Sequence, residues 1–274
     1  MKRRALAIAF VAVVIASPVD AASRARIRAW NIGGQSLLTL ANAALQKRIH
    51  SPRDVVRVLT AGAVAGGGFY EAKVRIADGH IGSGWLIANV AASVAENTAA
   101  GLNPLARIGY TVGPFRVRAA TPLDRGGTSF VYVDASLLEA GELIVARRES
   151  DRTRWRAGMI AFTRNTLWPV VDGVGPFNGR TFGIYPALTV GTPFVVWNHE
   201  AVHSVQSLQG DSAEPPLWTR NASRTSDGRR RLITFDTLRA GAVTSLNGVI
   251  LGRQRYEERW TEIEAYRMAQ NVRP

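Results

Sequence analysis

The sequence contains no cysteine, and among its 274 residues there are only three lysines and four histidines. The missing thiols exclude a disulfide framework, a cysteine nucleophile and any thiolate metal site. Histidine chemistry is confined to His50, His80, His199 and His203. No apolar run reaches the roughly eighteen residues of a bilayer-spanning helix, which argues against a polytopic membrane protein. Charged residues make up 20% of the chain and apolar residues 46%, too apolar a balance for a disordered protein. The length suits one large or two small domains with a sizeable core.

What is abundant is arginine, which supplies thirty-one of the thirty-four basic residues and sets the net charge at +13. The arginines are scattered singly, with Arg229-Arg230-Arg231 as the densest internal stretch. No basic stripe interleaves with aromatics and no nucleic-acid motif is present, so nucleic acid is not an expected partner. A basic envelope module that binds polyanions stands as one alternative, and it predicts steep salt dependence of binding.

Residues 1–21 read as a secretory signal peptide. Lys2, Arg3 and Arg4 form a positive start, Ala5–Ala16 an apolar run too short to span a bilayer, and Val19-Asp20-Ala21 a small-residue cleavage site. The chain is therefore expected to work outside the cytoplasm, in the periplasm or beyond, with envelope or membrane-surface association open.

Along the rest of the chain the period of apolar residues changes twice. Residues 36–47 show helical spacing, and Ser51-Pro52 is a helix start signal. Asp54–Ala65 reads as helix, ended by Gly66-Gly67-Gly68, and Ser83 is placed to cap a helix over Trp85–Glu96 that Gly101 ends. From Arg107 the period becomes two, through Ile108–Val112, Phe115–Val117, Phe130–Asp134, Leu143–Arg147 and Met159–Thr163. That pattern predicts an antiparallel, strand-rich middle. From Thr192 the period is helical again, and Asp172–Arg180 and Asp211–Arg231 read as long polar loops.

The chemistry concentrates in His199-Glu200-Ala201-Val202-His203, an H-E-x-x-H pattern. On a helix, residues i and i+4 are offset by about 40° and one turn, so both imidazoles face one way and can take two corners of a zinc tetrahedron. Glu200 lies about 100° round, beside such a metal rather than on it, where a general base for the attacking water is needed. Thr192-Pro193 supplies a start signal for this helix, and Gly210 is expected to close it. A third protein ligand is required. His50 and His80 read as loop residues. Tyr256–Gln270 reads as a helix with Tyr256, Trp260 and Ile263 as its apolar stripe, flanked on opposite sides by Glu262 and Glu264. Both cannot face one metal, and periodicity does not choose between them.

These residues resemble the gluzincin metallopeptidases. The resemblance rests on His199–His203 followed by Gln206, on Thr181–Tyr185, which looks like the edge strand preceding the motif helix, and on Glu262-Ile263-Glu264-Ala265-Tyr266, which is similar to the family's E-x-x-A-D segment. It implies Glu262 as the third zinc ligand with Glu264 as runner-up, Glu200 as the base, and a peptide or protein substrate held by β-addition to the Phe182–Tyr185 strand. Two positions depart. Val202 replaces a glycine common in relatives, and Tyr266 replaces the aspartate that braces a ligand histidine, so that brace is absent or supplied elsewhere. Tyr185, Tyr256 and Tyr266 are open choices for an oxyanion donor.

The expectation is an exported, zinc-dependent peptidase of α+β class. It has a helical N-terminal part, an antiparallel strand-rich middle and a zincin-like helical C-terminal part. Residues 22–170 form a region of unassigned role and 171–274 the metal-binding region, the two packing separately or as one domain. A catalytically inactive, metal-stabilised envelope protein and a hydrolase of another amide or ester are the remaining alternatives.

Overall fold

Ser51 starts a helix as its chemistry requires. Its hydroxyl accepts from the Asp54 amide and the Asp54 carboxylate accepts from the Ser51 amide, a reciprocal capping box with Pro52 in the first turn. The computed structural model describes residues 24–124, 131–156, 158–167, 179–213, 233–236 and 260–269. The expected signal peptide, most of both long polar loops, and Tyr256 lie outside them. Among the described residues no helix is long and apolar enough to cross a membrane.

Three helices open the fold: α1 (Arg24–Leu45), α2 (Pro52–Ala77) and α3 (Ile81–Ala99). Helix α2 runs straight through Gly66-Gly67-Gly68, which correct the expected break at Ala65. The reason is packing. A Cβ on Gly62 would lie 2.7 Å from the Ser36 Cα, one on Gly66 2.7 Å from the Ile32 Cα, and one on Gly68 2.9 Å from the Ala91 Cβ. Gly62, Gly66 and Gly68 lie where α1 and α3 press against α2, so close packing outweighs their low helix propensity. Helix α3 starts a turn before its expected bounds. Ser83 is not its cap, because its hydroxyl donates to the His80 carbonyl. Gly101, at φ +77°, follows the helix end.

Two sheets follow. Strands β1 (Arg107–Val112), β2 (Phe115–Ala120) and β3 (Val131–Ser136) pair antiparallel, and β8 (Ile233–Asp236) joins β3 in parallel. The outer edge of β1 is covered by α3, whose Asn89 and Ser93 side chains accept from the Thr111 and Gly109 amides at 2.7 and 2.8 Å. The expected strand at Leu143–Arg147 is instead part of helix α4 (Leu137–Arg148). Ser136 caps it, Glu139 stands in its first turn and Arg147 and Arg148 in its last, charges that suit both ends of the helix dipole.

The second sheet has the order β4 (Arg152–Arg156), β5 (Met159–Arg164), β7 (Tyr185–Thr189), β6 (Gly179–Phe182). Its pairs are antiparallel except β5 with β7. Gly183, at φ +54°, turns β6 into β7, so the single edge strand expected over Thr181–Tyr185 is instead a hairpin turn: Thr181 and Phe182 end the edge strand β6, and Tyr185 begins the interior strand β7. Helix α5 (Phe194–Ala213) continues past Gly210, and α6 (Trp260–Ala269) packs against it. The class is α+β. One apolar core joins Ile27, Phe69 and Trp85 of the opening helices to Phe162 and Tyr185 of the second sheet and to Trp197, Val205 and Met268 around the motif helix.

Candidate metal centre

Helix α5 places His199 and His203 one turn apart on one face, with ring centroids 4.7 Å apart and the two Nε2 atoms 3.1 Å apart. Helix α6 brings Glu262 against them. Its carboxylate oxygens lie 3.4 Å from His199 Nε2 and 3.4 Å from His203 Nε2. The sequence-expected trio therefore meets, with His199 and Glu262 buried and His203 half-buried.

This cluster fits a metal ion. Ligand bonds of about 2.0–2.1 Å to a tetrahedral ion set its corners about 3.3 Å apart, close to the 3.1 Å between the two Nε2 atoms, and one donor atom from each of the three residues lies within 4.8 Å of the others. Two imidazole nitrogens and a carboxylate oxygen form a borderline donor set. Glu262 Oε2 is buried and makes no hydrogen bond to the protein, an orphan that a cation would satisfy.

Glu264, the runner-up, is not in the cluster. Two positions along α6 from Glu262, it faces the opening helices instead, where its carboxylate meets the Lys73 ammonium at 2.8 Å. The buried face of α6 runs through Ala265, Met268 and Ala269, while Ile263 of the expected apolar stripe is only half-buried. His50 and His80 are exposed and outside the cluster, His80 standing at the start of α3.

Glu200 points from α5 toward the edge strand. The Thr181 hydroxyl lies 2.6 Å from Glu200 Oε2 and 3.1 Å from the Glu200 carbonyl. Gly179 supplies the space, since a Cβ there would lie 2.8 Å from Glu200 Oε1 and 2.9 Å from its Cγ. Burial pushes the Glu200 carboxyl above its usual range, against the pull of His203 and His199. Burial also disfavours the His203 imidazolium, but the Glu262 carboxylate more than reverses this, and its pKa rises to about 9. Burial opposes charge on Glu262 as well, yet the His199 and His203 imidazoles facing it hold its carboxyl far below the carboxylate range.

Of the three tyrosines left open as donors, Tyr185 is buried edge-on to Phe162, while the half-exposed Tyr266 ring lies against His199 with centroids 4.5 Å apart. Sequence reasoning did not find Gly179, nor the roles of Asn31 and Lys73. Lys73 carried one signal: it continues the buried stripe Phe69, Ala72, Ile76 of α2, where a lysine needs a partner. No protein-family model matches this chain, and no curated protein or solved structure does so either.

Proposed function

We propose that the chain is an exported, zinc-dependent metallopeptidase of gluzincin type. The observation that carries this reading is the convergence of His199, His203 and Glu262, each imidazole Nε2 facing one oxygen of the Glu262 carboxylate, with Glu200 next in the chain to His199. Zinc bound there would polarise a scissile carbonyl and acidify a water. His199, His203 and Glu262 are the groups that would hold it. Glu200 would take the water's proton at Oε1, since Oε2 is held by Thr181, and its raised pKa suits a base that must later return that proton. Among the described residues no strand lies on the outer edge of β6, where an extended peptide could add alongside Thr181 and so alongside the base. Tyr266 is the described tyrosine best placed to touch a substrate at His199.

The polyanion-binding alternative finds less support. An open recess lined by Arg148, Arg164 and Arg180 also carries Glu149 and Asp151, which offset the cations.

The test is hydrolysis of a mixed peptide library by zinc-loaded protein, with Glu200→Gln as the control. Cleavage in the parent, abolished in Glu200→Gln with zinc retained, is the expected result. Zinc bound without cleavage of any peptide or ester offered would overturn the peptidase reading in favour of a metal-stabilised binding protein.

A further inference from the structure

We propose that Gln206 is a positioning residue that fixes His203 as a metal ligand, and that the buried Lys73–Glu264 pair holds Gln206 in the one amide orientation able to do so. This rests on the metal reading above and adds a role for the opening helices.

The argument starts from the amide. Gln206 Nε2 lies 2.8 Å from Glu264 Oε2 and 3.0 Å from the Thr261 carbonyl. Both are acceptors, so the amide presents its nitrogen to them and its oxygen to the other side. On that side Gln206 Oε1 is 2.7 Å from His203 Nδ1. An amide oxygen only accepts, so His203 Nδ1 carries a hydrogen. In the neutral ring the lone pair is then on Nε2, which faces His199 and Glu262. One hydrogen bond selects both the tautomer and the ring orientation that a metal needs.

The orientation is fixed from beneath. Glu264 and Lys73 are each about 1% exposed. Lys73 Nζ donates to Glu264, to Asn31 Oδ1 at 2.8 Å and to Gln209 Oε1 at 2.8 Å, which uses the three hydrogens of an ammonium. Asn31 Nδ2 donates to Glu264 Oε1 at 2.6 Å. Lys73 is donor-only and its counter-ion acceptor-only, so Glu264 can receive only the nitrogen of Gln206. The chain of contacts therefore runs from α1 and α2 through α6 to a ligand on α5. It supplies on the motif helix itself, three residues past the second histidine, the brace that Tyr266 does not offer.

The test compares the parent with Gln206→Leu, with Lys73→Met/Glu264→Met, and with Gln206→Glu/Glu264→Gln, which moves the carboxylate to the brace without changing net charge. Zinc affinity is measured by chelator competition. The His203 ring nitrogens are read by NMR in metal-free protein at a pH where the ring is neutral. Gln206→Leu should weaken zinc about 10–100-fold and lose the Nδ1–H signature. The Lys73/Glu264 variant should give mixed tautomers, and the carboxylate-moved variant should recover parent affinity. Unchanged tautomer and affinity in a folded Gln206→Leu would overturn the proposal. Should that variant not fold, weak zinc binding by the folded carboxylate-moved variant does so. A parent that takes no zinc sinks the metal reading instead, and the tautomer measurement still decides the relay.

Discussion

Glu262 and Glu264 stand two positions apart on α6, about 200° round the helix, and perform opposite tasks. The first leaves an oxygen without a hydrogen bond among two imidazoles, and the second has each oxygen saturated by Lys73, Asn31 and Gln206. Sequence spacing showed the two sides but not what lay against each, because the partners are remote in sequence. At this scale the raised pKa of His203 has a consequence for metal-free protein. A histidine whose folded pKa lies above its ordinary 6.5 stabilises the fold fully below that value, and the contribution is lost as pH rises through about 9. The Tm of chelator-treated parent should fall between pH 6.5 and 9 more than that of His203→Ala, and parallel slopes in a thermal scan would contradict this. Zinc binding should release a proton in the same window, so affinity should tighten as pH rises. Gly179→Ala pushes a methyl toward Glu200 Oε1 and Cγ. Peptide hydrolysis should drop by about 10²-fold while zinc content holds, because the base moves and the ligands do not.

Among the elements, α5 was legible because H-E-x-x-H needs a helix to make chemical sense; Thr192-Pro193 stands just before its first residue, Phe194, but the Thr192 hydroxyl donates to the Thr189 carbonyl and does not cap it. Helix α2 was not legible, because three consecutive glycines break an isolated helix, and only the neighbouring helices explain Gly66 and Gly68. Helix α4 was misread because Leu143 to Arg147 alternates like a strand, while its capping signals at Ser136 and Glu139 lie seven and four residues upstream. Two of the glycines of α2, Gly66 and Gly67, make opposite predictions. A Cβ on Gly66 meets the Asn31 carbonyl oxygen and Ile32, so Gly66→Ala should destabilise by about 1–3 kcal/mol and, by shifting Asn31, weaken zinc. Gly67 has nothing within 4 Å of its would-be Cβ, so Gly67→Ala should stabilise by about 0.5–1 kcal/mol. Denaturant titration of both variants checks the pair, and equal shifts of one sign would show that α1 does not press on α2 as described.

Across the whole molecule, the opening helices and the His199–His203–Glu262 cluster share one apolar core and one polar chain of contacts from Asn31 to His203. The α+β class and strand-rich middle were readable from the period of apolar residues. The parallel pairings β3–β8 and β5–β7 were not, since each joins segments separated by a long stretch of chain. A metal that binds the folded cluster alone adds to global stability by mass action, about 2.7 kcal/mol at a hundredfold excess over its Kd. Zinc should therefore raise the Tm of the whole protein, and EDTA should reverse it. The most direct test of the central claim is zinc content per chain in the purified protein beside His203→Ala, Glu262→Gln and Glu264→Gln. The account predicts about one zinc in the parent. His203→Ala should lose it and Glu262→Gln should hold it weakly, while Glu264→Gln retains the ligand set and differs only through the brace. A parent without zinc after saturation and desalting, or a Glu262→Gln variant indistinguishable from it, would contradict the site.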